Sequence, residues 1–208
     1  MADTVAHQHA AAPPDGPHVG PPRVPDFEII PRRGLVLVAV AIAGLIAAIV
    51  SNSLWALTFF HVASGALWTG VDLFVGLIVG PILGRLPVPA RIEFSVRFMP
   101  KMLLLMPTLV ALTLGAGYQL ARAVGNLDPS SPNHAWVVAS FVVVGVLTVI
   151  AIGLLEPANL AVLFELKKPR PDGERIGRLM KVFLYTVGAT GLMQLATLVI
   201  MTYLASHD

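Results

Sequence analysis

The sequence contains no cysteine, and charged residues make up only 12% of its 208 residues. The lack of cysteine excludes disulfides, thiolate metal sites, covalent c-type haem attachment and cysteine catalysis. Soluble domains carry roughly a quarter of charged residues, whereas 56% of this chain is hydrophobic. The composition therefore predicts an integral membrane protein.

Motifs of soluble enzymes are also missing. We find no P-loop, dinucleotide fingerprint, zincin helix or G-x-S-x-G elbow, and nothing in the sequence decides whether the chain is an enzyme. The isoelectric point of about 9.2 would suggest a nucleic-acid partner in a soluble protein. Here the basic residues flank apolar segments, so we expect them to set membrane topology and expect no nucleic acid.

Five apolar segments are long enough to cross a membrane, because about 30 Å of hydrocarbon needs about 20 helical residues. The fold class is therefore predicted as an all-α membrane bundle over residues 32–208. The preceding residues 1–31 are rich in proline, and we predict a disordered tail there. The predicted spans are Leu35–Val50, Trp55–Leu83, Met99–Ala121, Ala135–Leu163 and Val182–Ala205, and only Ser51–Leu54 separate the first two, which predicts a tight hairpin.

The basic residues predict the orientation. With the N-terminus in the cytoplasm, thirteen of the fourteen Lys and Arg residues fall on that side and only Arg122 lies outside, as the positive-inside rule requires. We therefore predict a multi-pass protein of the plasma (bacterial inner) membrane, surrounded by lipid, with its C-terminus outside. The charged segment Glu165–Lys181 is predicted to be a cytoplasmic loop with a short surface helix.

The second span carries an unusual polar stripe. His61, Gly65, Trp68, Asp72 and Gly76 follow helical spacing and share one face. Counted from Trp55, His61 lies about 9 Å along the helix axis and Asp72 about 25 Å. An ionisable residue at that depth is costly and marks a candidate functional site.

The rest of this span fits the same orientation. We expect the opposite side to face lipid and the glycines of a small-xxx-small pattern to let another helix approach closely. The lipid-facing residues are predicted to be Phe59, Leu67, Phe74 and Ile78, and the glycines are Gly76, Gly80 and Gly84.

Polar groups on other spans are candidate partners of Asp72. Glu156 lies in the fourth span and Gln194 in the fifth. Together with Asp72 they form either a proton path or a set of hydrogen bonds between helices. Met99, Met102 and Met106 share one face of the third span, too far from His61 to share a ligand with it, and are assigned to packing.

The stretch "HVASGALWTG", with its pattern H-x-x-x-G-x-x-W-x-G, resembles the signature helix of a group of small bacterial membrane proteins. The group comprises the copper-resistance D domain, a predicted integral membrane family, the membrane part of a urate-oxidising protein and the haem-b protoporphyrinogen oxidase of bacteria. The resemblance continues through "GPILGRLP" and "RFMPKMLLLMPTLVALTLGAGYQL", so it covers Trp55 to Arg122.

The resemblance implies a cofactor site. In members that bind haem b, the histidine at this place is an axial iron ligand, which corresponds to His61. Gly65 would then leave room for the porphyrin, and Trp68 could stack near it. No motif identifies the second ligand; His134 lies on the same side of the predicted membrane, and Met201 is the alternative.

Three functions follow as hypotheses. The first is haem b bound through His61, with electron transfer or oxidation of a small molecule, by the chain alone or as an anchor for another membrane or redox subunit. The second is copper handling or transport, since the imidazoles of His61 and His134 with nearby thioethers suit copper. The third is a non-catalytic membrane subunit or scaffold.

Overall fold

The computed structural model describes residues 26–206, and five long helical spans account for most of them, as predicted. Two of the spans contain a short π-helical segment, here called π1 and π2. The elements are α1 (Arg32–Ser51), α2 (Leu54–Phe74), π1 (Val75–Val79), α3 (Gly80–Arg85), α4 (Val88–Ala123), α5 (His134–Ile150), π2 (Ala151–Leu155), α6 (Glu156–Leu166) and α7 (Gly173–Ser206).

The third and fifth spans start earlier than the apolar pattern predicts. α4 begins at Val88 and α7 at Gly173, so the separate surface helix expected within Glu165–Lys181 was a wrong prediction. Long basic side chains extend toward water while the helix that carries them continues. A hydropathy count stops at the first charges and therefore misses these helical turns.

Four spans form a bundle, with the first span on its outside. The second span packs on α4 and α7, the fourth span packs on α7, and α6 also packs on α4. α1 packs more on α4 than on α2, and its inner face buries Leu45 and Ala48. The large apolar side chains on the outward faces are exposed, which is the surface that lipid covers in a membrane protein.

The connection from α1 to α2 is as tight as predicted. Asn52 ends α1 with a φ of 48°, in the left-handed region that asparagine tolerates better than most residues. Ser53 begins α2 by accepting a hydrogen bond from the Ala56 N–H at 3.4 Å.

Both π segments directly precede an X-Pro pair. The Gly80 N–H bonds to the Val75 carbonyl before Pro81, and the Glu156 N–H bonds to the Ala151 carbonyl before Pro157. Proline has no N–H and crowds the carbonyl four residues earlier. The wider π turn accommodates that carbonyl, so these two prolines give the second and fourth spans the same local distortion.

One end of the bundle, here called the basic end, gathers the cationic connections. The start of α7 lies beside the start of α4, since a Cβ at Gly173 would be 3.2 Å from Val88 Cγ1. Phe27 packs under Lys167, whose Nζ lies 4.4 Å from the ring centroid. Residues 26–31, assigned to the tail from sequence, therefore include contacts with the bundle, and the rest of the predicted tail lies outside the described residues.

Candidate functional site

Asp72 is the centre of a buried polar cluster between the second and fifth spans. Gln194 Nε2 donates to Asp72 Oδ2 at 2.6 Å, and the Thr190 hydroxyl lies 3.4 Å from the same oxygen. Trp68 lies one turn earlier on α2 and is also buried. Asp72 is only 1% exposed, so these groups replace water around it.

Glycines make this contact possible. A Cβ at Gly76 would lie 2.3 Å from the Gly188 Cα, and one at Gly191 would lie 3.2 Å from the Asp72 carbonyl carbon. The two backbones therefore touch, and the short distance brings Thr190 and Gln194 within reach of Asp72. This is the close approach expected for Gly76; a Cβ at Gly84 meets nothing within 4 Å.

A cavity of about 230 Å³ adjoins this cluster. Its wall is mainly apolar and comes from the second, third, fourth and fifth spans. Trp68, Asp72, Glu156 and Asn159 contribute its polar groups together with two threonines. Both π segments reach it, through Val75 at one side and Ala151 at the other, and π turns within helices frequently occur at functional sites.

Three oxygen atoms at this cavity are buried without a hydrogen-bond partner. They are Asp72 Oδ1, Glu156 Oε2 and Asn159 Oδ1. The Asn159 amide orientation is set by Nδ2, which donates to the Met99 carbonyl at 3.4 Å, and this leaves Oδ1 as the unused atom. Because unpaired buried polar atoms cost about 1–3 kcal/mol each, the cavity is suited to a molecule that satisfies them.

The cavity opens sideways, between the third and fourth spans. Pro107 and Ala111 of α4 and Ile152 of π2 line it and are exposed on the outside of the bundle. Toward the basic end, α4 and α6 close it by direct packing around Met99 and Val162, both fully buried. A ligand therefore has a path from the apolar surface of the protein.

His61 lies outside this cavity but faces the bundle as expected. Its Nδ1 is 2.9 Å from the Thr113 carbonyl oxygen of α4, and because a carbonyl oxygen only accepts, Nδ1 is the donor in this hydrogen bond. Its ring occupies the space beside Gly117, where a Cβ would be 2.6 Å away. Gly65 lies one turn further along α2, where a Cβ would be 3.5 Å from Thr113 Cγ2.

No hydrogen bond joins His134 to His61 among residues 26–206. His134 Nδ1 is buried without a partner at the start of α5, and α5 packs mainly on α7. Within residues 26–206, no group of three or more His, Asp or Glu side chains is placed to hold a metal ion. The ligand roles predicted for His61 and His134 stay predictions.

The predicted polar set is only partly assembled. Asp72 and Gln194 meet directly, and Glu156 lines the same cavity as Asp72 without bonding to either. Met102 and Met106, assigned to packing, also line the cavity, whereas Met99 is core. Thr190, Gly188 and Thr113 were not identified from sequence, although the stretch "GATG" at residues 188–191, which contains Thr190, is a small-residue signal of close helix packing.

No protein-family model, curated protein or solved structure matches the chain.

Proposed function

We propose that this integral membrane protein binds a small lipid-soluble molecule in the cavity beside Asp72 and passes it to or from the bilayer. The observation that carries the proposal is the coincidence of a laterally open, largely apolar cavity with three unpaired buried oxygens. Ligand sites in helical bundles have this composition, an apolar wall with a few polar groups that fix orientation.

The depth of the site supports binding from the membrane. Ionisable residues inside spans are rare and mark substrate or proton pathways. Here two carboxyl-bearing residues line one space, and one of them is anchored by Gln194. A packing role alone would not leave Asp72 Oδ1 and Glu156 Oε2 buried without partners on residues that line a cavity.

Quenching of Trp68 fluorescence tests this function. Trp68 lines the cavity and is only 4% exposed, so Trp55→Phe with Trp136→Phe leaves one reporter at the site. Bromobenzene, a small heavy-atom quencher that partitions into lipid, is expected to quench Trp68 in a saturable manner in nanodiscs. Ala111→Phe, which narrows the opening, should abolish the saturable part.

A variant that retains only Trp55 is the matched control. Trp55 is 77% exposed on the lipid face, so its quenching should rise with bromobenzene concentration without saturating. Non-saturable quenching at Trp68, equal to that at Trp55, would contradict a binding site.

Binding of haem b through His61 is the second candidate. It is favoured by the bond between Nδ1 and the Thr113 carbonyl, since histidine ligands to metals almost always donate their other nitrogen to an acceptor. The fit is incomplete, because neither His61 nor Gly65 lines the cavity beside Asp72. A reduced-minus-oxidised spectrum of protein from haem-replete cells tests it: an alpha band lost in His61→Ala supports it, and a colourless preparation rejects it.

The same proposal places the basic end in the cytoplasm of a bacterial inner membrane. The structure supports this by gathering the starts of α4 and α7, which carry six of the fourteen Lys and Arg residues, at one end. Positive charge is retained on the cytoplasmic side during insertion. A second membrane or redox subunit stays a prediction.

A further inference from the structure

We propose that the occupant of the Asp72 cavity is an organic cation, a small protonated amine with an apolar body. This inference rests on the proposed function and names the chemical class that the site selects. It is derived from three residues that line the cavity and each carry a buried oxygen atom without a hydrogen-bond partner.

The unpaired atoms define what the ligand must offer. Asp72 Oδ1, Glu156 Oε2 and Asn159 Oδ1 are acceptors, and an amide oxygen cannot become a donor. The other buried unpaired side-chain atoms of residues 26–206 belong to residues that do not line the cavity. A protonated amine offers these acceptors up to three N–H groups, whereas an anion offers them none.

Charge strengthens the same conclusion. Among the described residues Asp72 has no Lys, Arg or His partner; its hydrogen bonds come from the neutral side chains of Gln194 and Thr190. No ion pair involving Asp72 or Glu156 is found in the described part of the chain. A cation in the cavity would supply the missing charge next to two carboxyl groups.

An inorganic cation fits the cavity less well than an organic one. Hard cations such as Ca²⁺ require about six to eight oxygen ligands, and the cavity presents three unpaired oxygens in an apolar wall. The remaining wall is formed by side chains such as Val75, Leu147 and Phe183, which bind hydrocarbon. The ligand therefore has a charged end and an apolar body.

The size of the cavity limits that body. An apolar cavity of about 150 Å³ in another protein binds benzene, so about 230 Å³ accommodates one aromatic ring with a short aminoalkyl group. Trp68 lines the same space, and the face of an indole attracts a cation within about 6 Å.

The experiment compares two ligands of matched shape. 4-Bromobenzylamine carries a protonated amine, and 1-bromo-4-ethylbenzene replaces that amine with a methyl group. Both are titrated against the single-Trp68 protein in nanodiscs, in the wild-type cavity and in Asp72→Asn, which keeps an acceptor for Gln194 but turns an N–H₂ group toward the ligand. For each ligand we compare the concentration that gives half-maximal quenching, the midpoint, in the variant with that in the wild-type cavity. Because a ligand partitions into lipid equally in both samples, its partition cancels in this ratio.

The amine midpoint should rise by at least about tenfold in Asp72→Asn, as expected for a lost hydrogen bond between charged groups. The neutral ligand should change by less than about twofold. Glu156→Gln is the second variant, since it removes a carboxylate without breaking any hydrogen bond at its orphan oxygen, and it should weaken the amine in the same direction. Glu93→Gln, at an exposed ion pair with Arg97 far from the cavity lining, should change neither.

The outcomes separate the inference from the proposed function. Saturable binding of the neutral ligand with no loss of amine binding in either variant would overturn the cation assignment and leave the cavity function intact. Saturable binding of the neutral ligand alone would do the same. If neither ligand nor bromobenzene saturates Trp68 quenching, the proposed function fails and the cation assignment fails with it.

Discussion

Gly76 and Gly188 bring the second and fifth spans together backbone to backbone, and their contact is asymmetric. A Cβ at Gly76 would lie 2.3 Å from the Gly188 Cα, whereas a Cβ at Gly188 would lie 3.5 Å from the Gly76 Cα. The first distance is a clash and the second is an ordinary contact. The position of Gln194 relative to Asp72 depends on this approach.

The asymmetry predicts opposite results for two alanine substitutions. Gly76→Ala should lower the free energy of unfolding by about 1–3 kcal/mol, the range for overpacked sites, because the helices must separate. Gly188→Ala should be tolerated. Denaturant-induced unfolding in detergent measures both, and Gly84→Ala, which meets nothing within 4 Å, is the control and should be neutral or slightly stabilising. An equal loss of unfolding free energy in Gly76→Ala and Gly84→Ala would contradict the close contact between Gly76 and Gly188.

Removing the partner of the buried carboxylate should also destabilise the fold. Gln194→Leu leaves Asp72 Oδ2 with only the Thr190 hydroxyl at 3.4 Å, and losing a hydrogen bond to a buried polar group costs about 1–3 kcal/mol. Gln119→Leu, at an amide with no hydrogen bond to the described residues, is the control in the same unfolding assay. A loss no larger for Gln194→Leu than for Gln119→Leu would show that this bond contributes nothing.

Glu165 is predicted to hold the connection between the fourth and fifth spans. It is 3% exposed and bonds Lys168 Nζ at 2.7 Å and the Asp172 N–H at 3.3 Å. Glu165→Ala should loosen residues 167–172 and accelerate tryptic cleavage at the Lys167–Lys168 bond, since the following X-Pro bonds resist trypsin. Limited proteolysis with mass spectrometry measures this. Glu93→Ala, at an exposed pair, should leave the rate unchanged, and equal rates in both variants would remove the role of Glu165.

Reporter fusions test the orientation. Alkaline phosphatase, active only outside the cytoplasm, should be active when fused after Ser206 and inactive when fused within residues 167–172. A fluorescent protein that folds in the cytoplasm should give the reverse pattern. Phosphatase activity at the second position would invert the topology, because it would place the basic end outside.

The five spans and the buried face of the second span were predictable because both depend on periodicity within one helix. The exposure of individual side chains confirms which face of the second span is buried. Phe59, Leu67 and Phe74 are exposed, while Trp68 and Asp72 are buried. The partner of Asp72 was predictable only as a set of polar groups at suitable depth, since the choice of Gln194 depends on how α7 rotates against α2.

The cavity was not predictable from the pattern of apolar residues. It forms where four spans meet beside two π turns, and its unpaired oxygens come from two different spans. The pairs Gly80-Pro81 and Glu156-Pro157 inside apolar segments were the available signal, because proline interrupts the regular helical bonds. Which residues face the resulting gap is set by packing between helices and not by spacing along one of them.

Protection of a single cysteine tests most directly whether the cavity takes up a molecule from the bilayer. The chain has no cysteine, so Ala151→Cys places one thiol at the cavity wall and Val149→Cys, at a side chain 71% exposed on the outside of the same span, places the control. Labelling by N-ethylmaleimide in nanodiscs is followed with and without excess bromobenzene. Bromobenzene should slow labelling of Ala151→Cys several-fold and leave Val149→Cys unchanged, whereas the same rate change at both positions, or none at either, would contradict a ligand site in the cavity.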